Sequence, residues 1–219
     1  MVYKIKTVYN GANVYNSASI YNGAGVYKDG SDDFIYEEIL GRLYPIVKIG
    51  SKFWTAENLD YIDNNLTLKL PTSFETTKVY NFWNQDKNFA DENKTGYMYN
   101  FYAAMYINSL LSNGWRIPSK SDFQDLKQIQ LDGQITTLRK KANYSTVWDG
   151  TNKTKFSAIP GGLRSDDNFS FLEQRLIMWS SNDINSDNAT RFQMQYNNVC
   201  EFVDYLKWYL MSIRLCKDA

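Results

Sequence analysis

The sequence predicts an α+β fold, and three observations carry that prediction. Only two segments of the 219-residue chain have a clear helical pattern, and both lie near its middle. Beyond residue 153 the chain breaks into short strand-like runs separated by turn residues such as Gly161-Gly162. The first 31 residues repeat with a period of six, a pattern of short strands and bends. Two helices, many short strands and long loops indicate the α+β class.

Each hexad of the N-terminal repeat opens on a β-branched residue followed by Tyr. The pairs are Val2-Tyr3, Val8-Tyr9, Val14-Tyr15, Ile20-Tyr21 and Val26-Tyr27. A repeated strand and bend buries no face alone and needs neighbours. We therefore expect residues 1–33 to form a β-structured stalk that assembles a homotrimer. The alternatives are a hairpin packed on the main domain and a partly disordered leader.

The main domain is expected to span residues 41–219, after an acidic junction over residues 32–40. The run from Ile46 to Trp54 predicts a strand, a turn and a second strand. Residues 100–111 carry apolar side chains on one side and predict a helix. Ser119 and Asp122 have the spacing of a capping box, so a second helix is expected over residues 119–131.

The composition excludes several kinds of chemistry. Lys and Arg number 24, Asp and Glu number 24, and there is no His, so the formal net charge is zero. A neutral chain argues against broad charge-driven binding to nucleic acid or to an anionic membrane. The lack of His removes Ser-His-Asp and Cys-His catalysis and every His-bearing metal site. Cys200 and Cys216 are too few for a four-cysteine zinc site, so we expect no metal and no cofactor.

Further expectations concern the cellular compartment and the surface of the protein. No apolar run approaches the ~20 residues of a membrane-spanning helix. The start of the chain lacks the apolar region and cleavage site of a signal peptide, so we expect no export by a visible signal. The chain has 17 Tyr and 22 Asn, residue types that suit contact with other molecules better than catalysis.

Five segments, in order, carry a family resemblance. They are VKIG at 47–50 with WTAENL at 54–59, GYMYNFYAAM at 96–105, GWRIPS at 114–119, FSAIPGGLR at 156–164, and WSS at 179–181 with SIRLCKD at 212–218. Together they resemble the Fibrobacter succinogenes major paralogous domain, which is common in Bacteroidota and their phages. The resemblance implies a C-type lectin-like fold, in the branch that also holds formylglycine-generating enzymes and the variable proteins of diversity-generating retroelements. Similar domains lie at the tips of phage tail fibres.

Most residues of these segments are expected to shape the fold. Trp54, Trp115 and Trp179 lie in apolar contexts and should anchor the core. Gly161-Gly162 should allow a tight bend with a positive φ. Three arginines of the same segments are expected to bridge to Glu57 or to a core carbonyl. They are Arg116, Arg164 and Arg214.

The stretch between Trp179 and Ser212 is the predicted binding face. It is rich in Asn, Asp and Tyr, and residues 189–196 alternate as a half-buried strand before a turn at Asn197-Asn198. Exposed Tyr and Trp offer rigid contact area, and Asn and Asp offer adaptable hydrogen bonds. The candidate ligand-binding residues are Asn182, Asp183, Asn185, Arg191, Gln193, Tyr196, Asn197, Asn198, Glu201, Asp204, Tyr205 and Trp208.

The function expected from these features is receptor binding by a phage tail-fibre tip or a similar adhesin. The receptor would be a bacterial surface glycan or protein, and the setting a virion or a cell surface. Diversification of this face by a retroelement is one hypothesis, while an AT-rich genome explains the same Asn and Tyr excess. Alternatives are a Bacteroidota envelope or secreted display module and, less favoured, a formylglycine-generating-type enzyme. Acid–base pairs for an enzyme would be Asp86 with Asp91 or Asp166 with Asp167. The segment Trp179–Asp183 resembles the Ca²⁺ site of a lectin only weakly.

Overall fold

Three β-sheets organise the chain in the computed structural model, which describes residues 26–28, 34–166 and 168–219. The predicted stalk lies almost wholly outside the described residues, so the trimer stays a prediction. Its fifth hexad contributes one short strand, Val26–Lys28, which pairs antiparallel with the first strand of the main domain.

The first sheet has five strands in the order β1-β2-β3-β4-β14. Their bounds are β1 Val26–Lys28, β2 Ile35–Ile39, β3 Arg42–Ile49, β4 Lys52–Thr55 and β14 Cys216–Asp218. The predicted strand–turn–strand at 46–54 is confirmed as the β3–β4 hairpin, whose turn contains Gly50 with a φ of 58°. Strand β14 pairs with β4, so this sheet joins the two ends of the main domain.

The second sheet has six strands in the order β5-β6-β7-β13-β8-β9. Their bounds are β5 Thr67–Leu68, β6 Val79–Asn81, β7 Met98–Tyr99, β8 Gly161–Arg164, β9 Phe169–Leu172 and β13 Leu210–Met211. Gly162 has a φ of 63°, as expected for the Gly-Gly pair. A Cβ at this position would lie 2.4 Å from the carbonyl oxygen of Ser170, so the close approach of β8 and β9 requires glycine.

The third sheet is an antiparallel meander in the order β10-β11-β12. Its strands are β10 Arg175–Asp183, β11 Asn188–Gln195 and β12 Cys200–Leu206. The turn predicted at Asn197-Asn198 is confirmed between β11 and β12.

Three helices connect the sheets: α1 Lys87–Asn93, α2 Phe101–Leu110 and α3 Gln124–Leu131. Helix α2 agrees with the prediction, and the Asn100 side chain caps it by accepting from the backbone N–H of Ala103. Ser119 and Asp122 make the reciprocal contacts of a capping box, but residues between them form turns, so α3 begins later than predicted. Helix α1 was not predicted.

The expected α+β class is wrong. Strands make up 36% of the structure and helices 17%, so the fold is mainly β, with three sheets and three helices. The prediction failed because two- to four-residue strands such as β5, β7 and β13 are too short to leave a periodic signal. The C-type lectin-like arrangement that the resemblance implied finds no support in this architecture.

Two apolar clusters form the core. Trp115 and Trp179 lie in the larger one, beneath the six-stranded sheet and α2, and Trp54 lies in the smaller one beside α3. All three are buried, so their predicted role as anchors is confirmed. None of the helices in the described part of the chain combines the length and apolarity needed to cross a membrane.

Arg214 lies between the clusters and illustrates a fully satisfied buried charge. It is 1% exposed, and its guanidinium is 4.2 Å from the centre of the Phe156 ring. Its donors bond to the side-chain oxygen of Asn58 at 2.8 Å and to the carbonyls of Thr55, Phe156 and Ser157. The expected bridge to core carbonyls is therefore confirmed here. Glu57 is instead paired with Arg42, at 2.6 Å.

Candidate functional site

The two faces of the β10-β11-β12 sheet are buried for different reasons. One face carries Phe192 and Met194, which pack in the smaller core cluster, where Phe192 stacks on Phe123 of the turn before α3. The other face carries Arg191 and Gln193, which were expected to be exposed on a half-buried strand. That expectation is wrong, because both side chains are almost fully buried between the sheet and its surroundings.

Arg191 occupies the middle strand, flanked across the sheet by Trp179 and Val203. It is 3% exposed, and its guanidinium lies 3.9 Å from the centre of the Tyr205 ring. Burial, with a smaller contribution from the like charge of Arg175, lowers the pKa of Arg191 to about 10, while Tyr205 and Glu201 oppose the shift. The side chain stays cationic at neutral pH. It forms no side-chain hydrogen bond or ion pair with any described residue, and its buried Nε and Nη1 have no partner.

Two more arginines stack on rings nearby. Arg175 lies 4.0 Å from the centre of the Phe171 ring, and Arg164 lies 5.1 Å from that of Phe169. Arg164 is 6% exposed, donates to the Asp166 carbonyl, and leaves Nε and Nη1 unpaired. Its expected bridge to Glu57 or to a core carbonyl is therefore wrong, because the carbonyl it contacts belongs to the neighbouring loop.

These pairs lie on neighbouring strands, and the charge of Arg175 acts on Arg191. Tyr205 packs edge-on against Tyr209 at 5.1 Å, and Tyr209 precedes Leu210, which pairs with Arg164 across β13 and β8. We call this surface the arginine–aromatic face. Its members are Arg164, Phe169, Phe171, Arg175, Arg191, Tyr205 and Tyr209.

Polar groups beside Arg191 are also incompletely paired. The amide nitrogens of Gln193 and Gln195 both donate to Oε1 of Glu201, at 2.5 and 2.6 Å. This leaves Oε1 of Gln193 buried without a donor. On the loop after β8, beside Arg164, Oδ1 of Asp166 is in the same state. More than half of the buried, unpaired side-chain polar atoms among the described residues belong to Arg164, Asp166, Arg191 and Gln193. Because buried polar groups are normally satisfied by protein or by ordered water, this concentration makes the face a candidate site for a polar ligand or for bound water.

The other predicted ligand residues do not share this face. Strand β11 is eight residues long, so the turns at its two ends lie about 25 Å apart. One end holds the predicted Asn182, Asp183 and Asn185, and the other holds Tyr196, Asn197 and Asn198. Several of these have structural partners. Asp183 pairs with Lys207 at 2.6 Å, and Asn185 caps its own turn. Asn182 accepts a hydrogen bond from the backbone N–H of Lys120, and Asn198 accepts one from Arg139.

Two further predicted residues lie elsewhere. Asp204 points to the opposite side of β12 from Tyr205 and accepts a hydrogen bond from Thr190. Trp208 was expected to be exposed but is 5% exposed, because Phe74 covers it with the ring centres 5.0 Å apart. The structure therefore brings together four of the predicted residues: Arg191, Gln193, Glu201 and Tyr205.

A second concave surface was missed by the sequence analysis. Two adjoining clefts of about 430 and 220 Å³ share Glu57 and Lys94, and lie between β3, α1 and the loop at 140–144. The charges of the larger cleft are largely paired with each other, as Arg42 contacts both Glu57 and Asp60. The larger cleft therefore offers a ligand fewer unpaired charged groups than the arginine–aromatic face does.

The cysteines and carboxylates offer little reactive chemistry. Cys200 and Cys216 are free and buried, and burial raises the pKa of each thiol to about 12. Within the described ranges, no group of three or more acidic or cysteine side chains is placed to hold a metal ion.

The model of the Fibrobacter succinogenes major domain matches residues 47–217. The chain belongs to this family. No curated protein and no solved structure matches the chain, so no structural relative supports a lectin-like assignment for this Fibrobacter succinogenes major domain. Within the domain, sequence reasoning missed Phe169, Phe171, Arg175 and Tyr209, and it placed Arg164 in the core. Phe169 and Phe171 lie close to Arg164 and Arg175 in the sequence, but Tyr205 lies on a different strand from Arg191, and the strand register that pairs them could not be derived from the sequence.

Proposed function

We propose that this domain is a non-catalytic binding module that recognises a bacterial surface receptor, a glycan or a protein, through the arginine–aromatic face. The observation that carries the proposal is Arg191, which is buried and charged yet has no hydrogen bond and no direct ion pair with any described residue, although the charge of Glu201 acts on it from a distance. A buried charge without a partner is costly for the fold alone. A ligand that supplies acceptors would remove that cost in the complex.

The composition of the face supports binding rather than catalysis. Guanidinium groups and half-buried aromatic rings are the groups that dominate binding energy in protein interfaces. Two of the carboxylates considered for catalysis have structural roles, since Asp86 caps α1 and Asp91 pairs with Lys87. Asp166 accepts from Ser73, and its intended partner Asp167 lies outside the described residues. A cysteine-dependent reaction of the formylglycine-generating type is disfavoured by the raised thiol pKa values.

The family resemblance supports a phage tail fibre as the setting, with diversification by a retroelement as an extension of the same proposal. Tail and reverse-transcriptase genes beside the coding sequence would support this setting. Export and surface-polysaccharide genes there would favour an envelope display protein instead.

A binding comparison tests the proposal. Labelled protein is applied to arrays of bacterial surface polysaccharides and to whole bacterial cells, together with the variants Tyr205→Ala and Tyr196→Ala. Loss of an aromatic contact residue should weaken binding roughly 10-fold or more, so Tyr205→Ala should bind poorly. Tyr196 is exposed on the β11–β12 turn outside the face, and its variant should bind as the unaltered protein does. Equal binding by the two variants, or no binding to any array or cell, would overturn the proposal.

A further inference from the structure

We propose further that the ligand is an acidic saccharide whose carboxylate binds Arg191. This inference rests on the proposed function and deepens it by naming the ligand class. It follows from three properties of the arginine–aromatic face: its arginines without a direct ion pair, its unpaired acceptors and its partly exposed rings.

The charge comes first. Arg164, Arg175 and Arg191 form no ion pair with any carboxylate in the described parts of the chain, and the first and last of these are buried. Glu201 is the nearest opposite charge that acts on Arg191, but its Oε1 already accepts from two glutamine amides. A planar guanidinium without hydrogen-bond partners suits a carboxylate. Because Nε and Nη1 of Arg191 are enclosed by the protein, a ligand would reach the guanidinium at Nη2.

The unpaired acceptors distinguish a sugar from an acidic peptide. Oε1 of Gln193 and Oδ1 of Asp166 are buried and need donors, and Ser73 already donates to the other Asp166 oxygen. An Asp or Glu side chain brings a carboxylate but no hydroxyl. A uronic acid brings its carboxylate and several hydroxyl donors on the same ring. The mixture of free donors and free acceptors therefore favours an acidic saccharide.

The rings supply the third property. Phe171, Tyr205 and Tyr209 are only partly buried, so each offers a ring edge or face to a ligand. Phe171 has a φ of 65°, unusual for an aromatic residue, and it lies at the turn that brings Arg175 beside it. Non-glycine residues hold such conformations only where their surroundings impose them. The apolar face of a pyranose ring would cover this aromatic surface while its polar edge reaches Arg191.

An NMR titration tests the inference on the full chain labelled with ¹⁵N. The arginine Nε–Hε signals are followed while methyl β-D-glucuronide is added, and the titration is repeated with methyl β-D-glucoside, with N-acetyl-glutamate methylamide and with sodium sulfate. The glucuronide should shift the Arg191 signal with at least roughly 10-fold higher affinity than the other three probes, since only it combines carboxylate and hydroxyls. Preferred binding of the glutamate derivative would show that the ligand is an acidic peptide and not a saccharide. Preferred binding of sulfate would show a simple anion site.

Conservative variants keep the test independent of folding. Arg191→Lys retains the charge but loses the planar fork, and should weaken glucuronide binding roughly 10-fold or more. Arg42→Lys, on the opposite cleft, is the matched control and should leave binding unchanged. Unaltered affinity in Arg191→Lys would overturn the inference. If arrays instead show Tyr205-dependent binding of neutral glycans while the glucuronide shifts nothing, the binding module stands and the acidic ligand is wrong.

Discussion

Replacement of Arg191 by Met should stabilise the domain, because the native side chain buries a charge that Tyr205 and Glu201 offset only in part. The pKa of Arg191 lies near 10 owing to burial. Against an ordinary value of about 12.5, and at about 1.4 kcal/mol per pKa unit, this corresponds to about 3 kcal/mol of unfavourable desolvation. Loss of the stacking on Tyr205 offsets about 1–2 kcal/mol of that gain. The free energy of unfolding should therefore rise by about 1–2 kcal/mol.

Arg214→Met is the matched control. Both arginines are almost fully buried and both stack on an aromatic ring, but Arg214 satisfies four acceptors. Burial lowers the pKa of Arg214 as well, to about 9, but removal of the guanidinium leaves those four oxygens unpaired in the interior and should still cost about 3–5 kcal/mol. Urea denaturation followed by tryptophan fluorescence measures both variants. If Arg191→Met loses as much stability as Arg214→Met, Arg191 is a structural residue with partners of its own, and the reasoning fails.

Three further predictions concern the fold and the thiols. Gly162→Ala should destabilise the domain by about 2–3 kcal/mol, because its φ of 63° and the approach of β9 leave no room for a Cβ. A change below about 0.5 kcal/mol in urea denaturation, which is the size expected for a surface substitution, would contradict this. Burial alone would raise the pKa of Asp122, but hydrogen bonds from Arg116 and Ser119 lower it to about 2. The stability that Asp122 contributes is thus present above about pH 4 and lost as the pH falls through 2, so Asp122→Asn should show a flatter acid-unfolding profile than the native chain. Cys200 and Cys216 should resist a thiol reagent at pH 8 in the folded protein and react fully in guanidinium, since burial raises both pKa values; rapid labelling of the folded state would refute their burial.

The sequence predicted the elements that leave a local signal. The β3–β4 hairpin, helix α2 and the three tryptophan anchors each follow from a short, continuous pattern. The mainly β class could not be predicted, because the six-stranded sheet is assembled from very short strands contributed by distant parts of the chain. Their pairing depends on tertiary contacts that local propensity does not specify.

The candidate site was only partly predictable for a related reason. Alternation along β11 correctly placed Arg191 and Gln193 on one face, but alternation does not reveal whether a face meets solvent or another layer. The stacking of Arg164 on Phe169 and of Arg175 on Phe171 depends on a strand register and a turn that bring residues of β8, β9 and β10 together. Chemically suitable residues could be named from the sequence, while their grouping could not.

Parallel measurement of stability and binding for Arg191→Met tests the central claim most directly. The native chain and the variant are compared on the same array of bacterial surface polysaccharides and by urea denaturation. The account predicts that the variant loses binding by at least roughly 10-fold while its free energy of unfolding is equal to or higher than that of the native chain. A variant that keeps its binding, or one that loses binding only because it is less stable, would contradict the claim that Arg191 is held buried and unpaired for a ligand.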